Sequence, residues 1–241
     1  GFSPYSRRLR RIGVDLGGVR TVAVERTASA YIITDQNDNQ ITGFHFGAMR
    51  SVGRTLPRQT LAASALAVVA PGNLADMVLL PRRYRAAGVP YLFDPGQQLT
   101  ALKRAQLRPA IIGSRGVIVN DYELSLLLRK AGWTLPKLLR HTQMLVTTLG
   151  PKGSVLREGS RVVRIPPAKP RAVVDPTGAG DAYRAGLIVG MLHGWELPVV
   201  GRFAGLVAVY TVELPGTQTH RFTWVELRRR YRENFGTPLP S

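Results

Sequence analysis

From residue 57 onward the chain alternates short apolar, β-rich runs with segments of helical periodicity, and this alternation limits its possible folds more than any other feature. Strands are expected in LAVVAP (66–71), VPYLFDPG (89–96, strand then turn), GVIVN (116–120) and MLVTTLG (144–150). Between them NLADMVLLPRRYRAAG (73–88) reads as a helix disturbed around Pro81, because proline removes a helical donor. DYELSLLLRKAG (121–132) reads as a helix with Asp121 near its cap and Gly132 past its end. A hairpin follows, with arms around Ser154 to Leu156 and Arg161 to Ile165. Strands joined by helical crossovers form a mainly parallel, Rossmann-like sheet with helices on both faces. Ligands of such α/β sheets gather at the carboxyl ends of the strands, where Asn120, Thr148, Gly150 and Asp175 are expected.

The stretch VVDPTGAGDAYRAGLIVGMLHGW (173–195) reads as a strand end, a glycine turn and a helix. Pro176 delays the helix, and Gly178 and Gly180 permit backbone approaches that a side chain would block. Apolar residues then recur at helical spacing from Ala182 to Leu192, and Gly194 stops the helix. The N–H groups of Gly178, Ala179 and Gly180 are expected to stand free at a helix N-terminus, which binds anions through its donors and its dipole. Asp181 sets one carboxylate beside them. Phosphoryl transfer to a hydroxyl needs such a cradle and base, although an aspartate in a first turn also serves simply to oppose the dipole.

Outside these segments, residues 3–12 suggest a short helix capped by Ser3 with Pro4 at its first position. VRTVAVE (19–25) is a strand candidate, and TASAYIIT (27–34) with QITGFHFG (40–47) forms a hairpin turning at Asp35 to Asn39. Pro198 opens a helix running through Val212. Trp224 to Phe235 makes an amphipathic helix with Trp224, Leu227 and Tyr231 inward and Arg228 to Arg230 mainly outward.

Asn120 and Glu123 in NDYE stand at a strand end and in a first helical turn. There they act as a helix cap, or they organise a hydrated Mg²⁺, an ion that usually keeps several waters. In TLGPKGS (148–154) Gly150 and Gly153 permit close backbone approach, and Lys152 either adds charge near a phosphate or is a solvated turn residue. The loop lacks Walker A spacing. The four histidines, at 45, 141, 193 and 220, have no metal-ligand spacing.

Taken together, DPTGAGD, NDYE and TLGPKGS, in the family's order, resemble the signature motifs of the ribokinase-like (PfkB) carbohydrate and nucleoside kinases. FDPGQQ (93–98), NDYELSLLLRK (120–130) and GTQTHRFTW (216–224) together resemble its bacterial nucleoside or adenosine kinase-like members more than ribokinase itself. The resemblance implies a ribokinase-like α/β fold over 1–241 as one domain, with a lid hairpin at about 20–48. It implies an ATP- and Mg²⁺-dependent kinase that phosphorylates a hydroxymethyl group of a nucleoside or sugar. By the same resemblance Asp181 is the base and the amides of Gly178, Ala179 and Gly180 form the anion hole. Asn120 and Glu123 support Mg²⁺ and phosphate, the latter through water, while Thr148, Gly150, Lys152 and Gly153 hold the nucleotide. Asp175 and Thr177 are the candidate K⁺ site, and Gly205 stands where some relatives carry a nucleotide-contacting side chain. The family's first strand and its glycine-rich N-terminal motif find no match. The expectation is therefore a chain that binds Mg²⁺-ATP but needs a second copy or a partner chain to complete the acceptor side.

Charge supplies the rival reading. The formal net charge is +18, and of 33 basic residues only five are lysine. Arginines cluster at 7, 8, 10 and 11, at 82, 83 and 85, and at 228, 229, 230 and 232. Such a field attracts nucleic acid, and it would suit a family-derived subunit that no longer catalyses. A solvated arginine face is the favoured explanation, since no aromatic-interleaved motif accompanies the clusters. With no cysteine, no secretory-type leader pattern and no long apolar run, the sequence is read as cytoplasmic with no membrane partner.

Overall fold

The computed structural model describes residues 2–34 and 40–241, so the turn expected at Asp35 to Asn39 lies outside the described residues. Helix α1 (Ser3–Arg11) is followed by the antiparallel hairpin β1 (Ser29–Thr34) and β2 (Gln40–His45), with Ile33 opposite Ile41 and Tyr31 opposite Gly43. Residues 19–25 form no strand. Their alternating pattern meets no partner edge, and a strand exists only through pairing. Phe2, rather than Ser3, is the N-cap of α1.

After the short helix α2 (Arg58–Ala62), the main sheet begins with β3 (Ala67–Val69), β4 (Tyr91–Phe93), β5 (Gly116–Asn120) and β6 (Met144–Thr148), all parallel. Strands β7 (Ser154–Glu158) and β8 (Arg161–Ile165) add antiparallel at the far side, giving the order β3-β4-β5-β6-β7-β8. The crossovers carry α3 (Leu74–Ala86), α4 (Arg104–Ile111), α5 (Asp121–Ala131) and α6 (Leu135–Leu139). Then come α7 (Ala179–Leu192), α8 (Leu197–Val212) and α9 (Trp224–Phe235).

Strand residues divide between two cores as a period of two requires. Tyr91, Phe93, Val117, Val119 and Leu145 pack with α3 to α6 on one face. Leu92, Ile118, Met144 and Val146 pack with Tyr183 and Leu187 of α7 and Val200 and Ala204 of α8 on the other. The close seating of α7 on α8 depends on Gly186, where a Cβ would stand 2.8 Å from the Ala204 Cα. Helix α3 runs unbroken through Pro81, contrary to the expected disturbance. The proline ring is buried on the same face as Met77 and Tyr84, and this burial offsets the missing hydrogen bond.

Several arginines do structural work that composition alone does not reveal. Arg104 and Arg108 donate from α4 to the Lys130 and Ala131 carbonyls at the end of α5, at 3.2 and 2.8 Å. Cations are favoured at that end of a helix. Arg85 donates to Tyr91 Oη and to the carbonyls of Pro109 and Ile112. In α9 Leu227 and Tyr231 face inward as expected, but Trp224 is 48% exposed and Arg230 is buried. Arg230 finds its counter-ion in Glu213 at the end of α8, an acid outside the segment from which the helical face is read.

Candidate active site

Helix α7 starts from a loop closed by one carboxylate. Asp175 Oδ1 accepts the Thr177 N–H at 2.9 Å, and Oδ2 accepts the Gly216 N–H at 2.9 Å. Hydrogen bonds from Thr177 and then from Gly216 hold this carboxyl below its usual range. Val173 and Val174 are not a strand, contrary to the sequence reading. Both are exposed, and the Val174 and Asp175 N–H groups instead converge on the Val212 carbonyl. Gly178 is the N-cap at φ 83°, and a Cβ there would lie 2.9 Å from Thr217 Cγ2. Both the backbone angle and the space therefore require glycine.

The Ala179 N–H is not free, because it closes a turn onto the Pro176 carbonyl at 3.1 Å. The N–H groups of Gly178, Gly180 and Asp181 make no hydrogen bond among the described residues. Open space lies beside Gly180, where an added Cβ would meet nothing within 4 Å. Unpaired donors, the helix dipole and clear space make this end of α7 fit for an anion.

The Asp181 side chain is 72% exposed, and its Oδ1 is held by Arg184 Nη2 at 2.6 Å. The other arm of Arg184, Nη1, pairs with Asp94 Oδ2. Asp94 directly follows β4, so it stands at a carboxyl end of the sheet. Burial raises the Asp94 carboxyl above its usual range, against the opposing charge and hydrogen bond of Arg184. Glu123 is raised as well, first by burial, while the hydrogen bond from the Asn120 N–H opposes and the charge of Asp94 adds. Asn120 and Glu123 form a capping box at the start of α5. The Glu123 N–H donates to Asn120 Oδ1 at 2.7 Å and the Asn120 N–H to Glu123 Oε2 at 2.9 Å. The helix-cap reading of NDYE is thus realised, with Glu123 Oε1 left over.

Asn120 is in register with Thr148 on β6, so these two strand ends meet. Thr148 leads into the turn carrying Gly150 (φ 56°) and Lys152, which is exposed and makes no side-chain hydrogen bond or ion pair among the described residues. At Gly153 a Cβ would collide with the Ile165 carbonyl at 2.1 Å, so this glycine is required by the hairpin behind the loop. Gly205 lies mid-way along α8 with nothing within 4 Å of an added Cβ. Below the loop, Tyr183 of α7 shares a 2.7 Å hydrogen bond with Ser154 Oγ, and burial pushes its phenol up to about 12. It therefore stays neutral and pins α7 to β7.

Asp94 and Arg184 escape the sequence reading as site residues. The available signals were the position of Asp94 just after an apolar strand and the (i, i+3) spacing of Arg184 from Asp181. Among the described residues no group of three or more His, Asp or Glu could hold a metal ion, and no helix is long and apolar enough to cross a membrane.

The sequence model of the pfkB family carbohydrate kinases matches residues 3–223. The chain belongs to this family. A nucleoside kinase of Methanothermobacter thermautotrophicus is 33% identical over 240 residues, covering 99% of this chain and 77% of the relative. A nucleoside kinase of Methanocaldococcus jannaschii is 28% identical, covering 96% and 76%. Among solved structures, a Burkholderia thailandensis nucleoside kinase in complex with inosine superposes with a TM-score of 0.90 at 34% identity, covering 98% of this chain and 79% of the other. The same enzyme in complex with ADP-inosine gives 0.90 at 35%, covering 100% and 75%. The pfkB-family chain thus has the ribokinase-like α/β fold, and Asp181 with the start of α7 lies inside the matched region.

Proposed function

We propose that this chain transfers the γ-phosphoryl group of ATP to a hydroxymethyl group of a nucleoside. The observation that carries the reading is the accessible Asp181 carboxylate beside the unpaired N–H groups that open α7. Similarity to nucleoside kinases, including structures with inosine and with ADP-inosine, favours a nucleoside over a free sugar.

Asp181 accepts the proton of the acceptor hydroxyl as its oxygen bonds to the γ-phosphorus. The bond from that phosphorus to the β–γ bridging oxygen breaks, and ADP leaves. The N–H groups of Gly178, Gly180 and Asp181, with the helix dipole, take up charge on the transferring group. The Thr148–Gly153 loop lines the nucleotide side, with Gly205 of α8 leaving open space for the base.

The residues present fit a hydrated Mg²⁺ rather than a directly caged one. Glu123 keeps one oxygen outside its capping bond, while Asp94 is engaged by Arg184. Asn120 and Glu123 would hold the ion through water, and it would supply neutralisation of the phosphate oxygens. Asp175 accepts one N–H on each oxygen, which leaves lone pairs for a monovalent cation such as K⁺ beside Thr177.

A coupled assay of ADP release with inosine, adenosine, cytidine, ribose and fructose tests the reading. Turnover with a nucleoside at least tenfold above that with either sugar is expected. Turnover with sugars alone would move the acceptor class, and none with any acceptor would contradict the assignment.

A further inference from the structure

We propose that Arg184 is a positioning residue for the phosphoryl transfer, holding Oδ1 of Asp181 from a guanidinium anchored at Asp94 so that Oδ2 is presented to the acceptor hydroxyl. The inference rests on the role given to Asp181 above.

A base in the first turn of a helix is poorly fixed by its own backbone. Asp181 is 72% exposed, so packing does not choose its rotamer. Arg184 does, because it is only 15% exposed and cannot itself swing freely. Its two terminal nitrogens are divided, Nη1 to Asp94 and Nη2 to Asp181. A planar fork that binds two carboxylates fixes their relative placement in a way a point charge cannot. Asp94 in turn follows Tyr91, Leu92 and Phe93, which are all fully buried in the sheet. Rigidity therefore passes from β4 through Asp94 and Arg184 to the reacting carboxylate.

The charges agree with this role. One guanidinium between two carboxylates leaves the trio with a net negative charge. The shared guanidinium takes only one oxygen of Asp181, and Oδ2 makes no hydrogen bond among the described residues. The Asp94 side chain is itself only 15% exposed, so its ion pair with Arg184 is shielded from water. A misplacement of about 1 Å at a reacting group can cost about a hundredfold in rate.

The alternative is that Arg184 merely neutralises buried Asp94. Two variants separate these roles. Arg184→Lys keeps a cation for Asp94, and with it the fold, but an ammonium cannot grip both carboxylates as the fork does. We expect kcat to fall about tenfold or more, with KM for ATP changed less than about twofold. Arg184→Met combined with Asp94→Asn removes both buried charges, so folding should recover while kcat stays about a hundredfold low. Parental kcat in either variant, or a raised KM at unchanged kcat, overturns the proposal. If the double variant fails to fold, Arg184→Lys alone decides. Asp181→Asn is measured alongside. Slow Asp181→Asn with fast Arg184→Lys removes only the role of Arg184, whereas fast Asp181→Asn, or a parental chain without turnover, defeats the functional reading on which it rests.

Discussion

Arg230 of α9 and Glu213 at the end of α8 form an ion pair in which the side chains are 4% and 13% exposed. Arg230 also donates to the Lys169 carbonyl at 3.2 Å, and Glu213 accepts the Arg171 N–H at 2.6 Å. The pair therefore ties the 169–171 segment, which leads into the Asp175–Gly178 loop, onto the last two helices. Removing one partner of such a pair leaves a buried charge, at a cost of about 3–5 kcal/mol. Arg230→Met should lower stability by about that amount in urea unfolding, and Arg230→Met with Glu213→Gln should recover part of it.

The same carboxylate gives an acid limit. Burial works to raise Glu213, but the hydrogen bonds from Arg230 and the Arg171 N–H outweigh it and hold it below its usual range. A depressed folded pKa means that the unfolded chain binds protons first as pH falls. The stabilisation is present above about pH 4.3, the unfolded value, and is lost as pH drops through the folded one. Acid unfolding followed by circular dichroism should begin below about pH 4.3, with a shallower loss in Glu213→Gln. Identical profiles would remove Glu213 from the acid response.

Two glycines of one turn should respond in opposite ways. At Gly178 an alanine meets both φ 83° and Thr217 Cγ2 at 2.9 Å, whereas at Gly180 it meets nothing within 4 Å. Gly178→Ala should cost about 1–3 kcal/mol, while Gly180→Ala should be neutral or up to about 1 kcal/mol stabilising. Thermal unfolding of the two variants checks the contrast.

Glu123→Gln keeps an oxygen for the Asn120 N–H, so the cap survives and only the charge is lost. Stability should change by less than about 1 kcal/mol. The Mg²⁺ concentration for half-maximal rate should rise several-fold, and an unchanged Mg²⁺ dependence would leave NDYE as a helix start alone.

Much of the fold was legible because its signals are local. The strands of GVIVN and MLVTTLG are apolar runs, and the bounds of α9 carry Thr223 and Gly236 as caps. Residues 19–25 misled because alternation does not report whether a partner strand exists. Helix α4 was missed, since Pro109 interrupts its pattern. In the site, the glycine turn and the capping box could be read from spacing. The engaged Ala179 N–H depends on a turn geometry that composition does not encode. The Asp94–Arg184 pair spans 90 residues, and nothing local marks it. On its own Arg184 looks like a helix-surface partner of Asp181, and only the topology brings the end of β4 beneath it.

The central claim is that Asp181 is the base of a nucleoside kinase. Its most direct test is the kcat of Asp181→Asn with the preferred nucleoside, measured beside ATP binding by calorimetry. A loss of about a hundredfold or more with ATP affinity retained is the predicted result, whereas turnover equal to that of the parental chain would contradict the account.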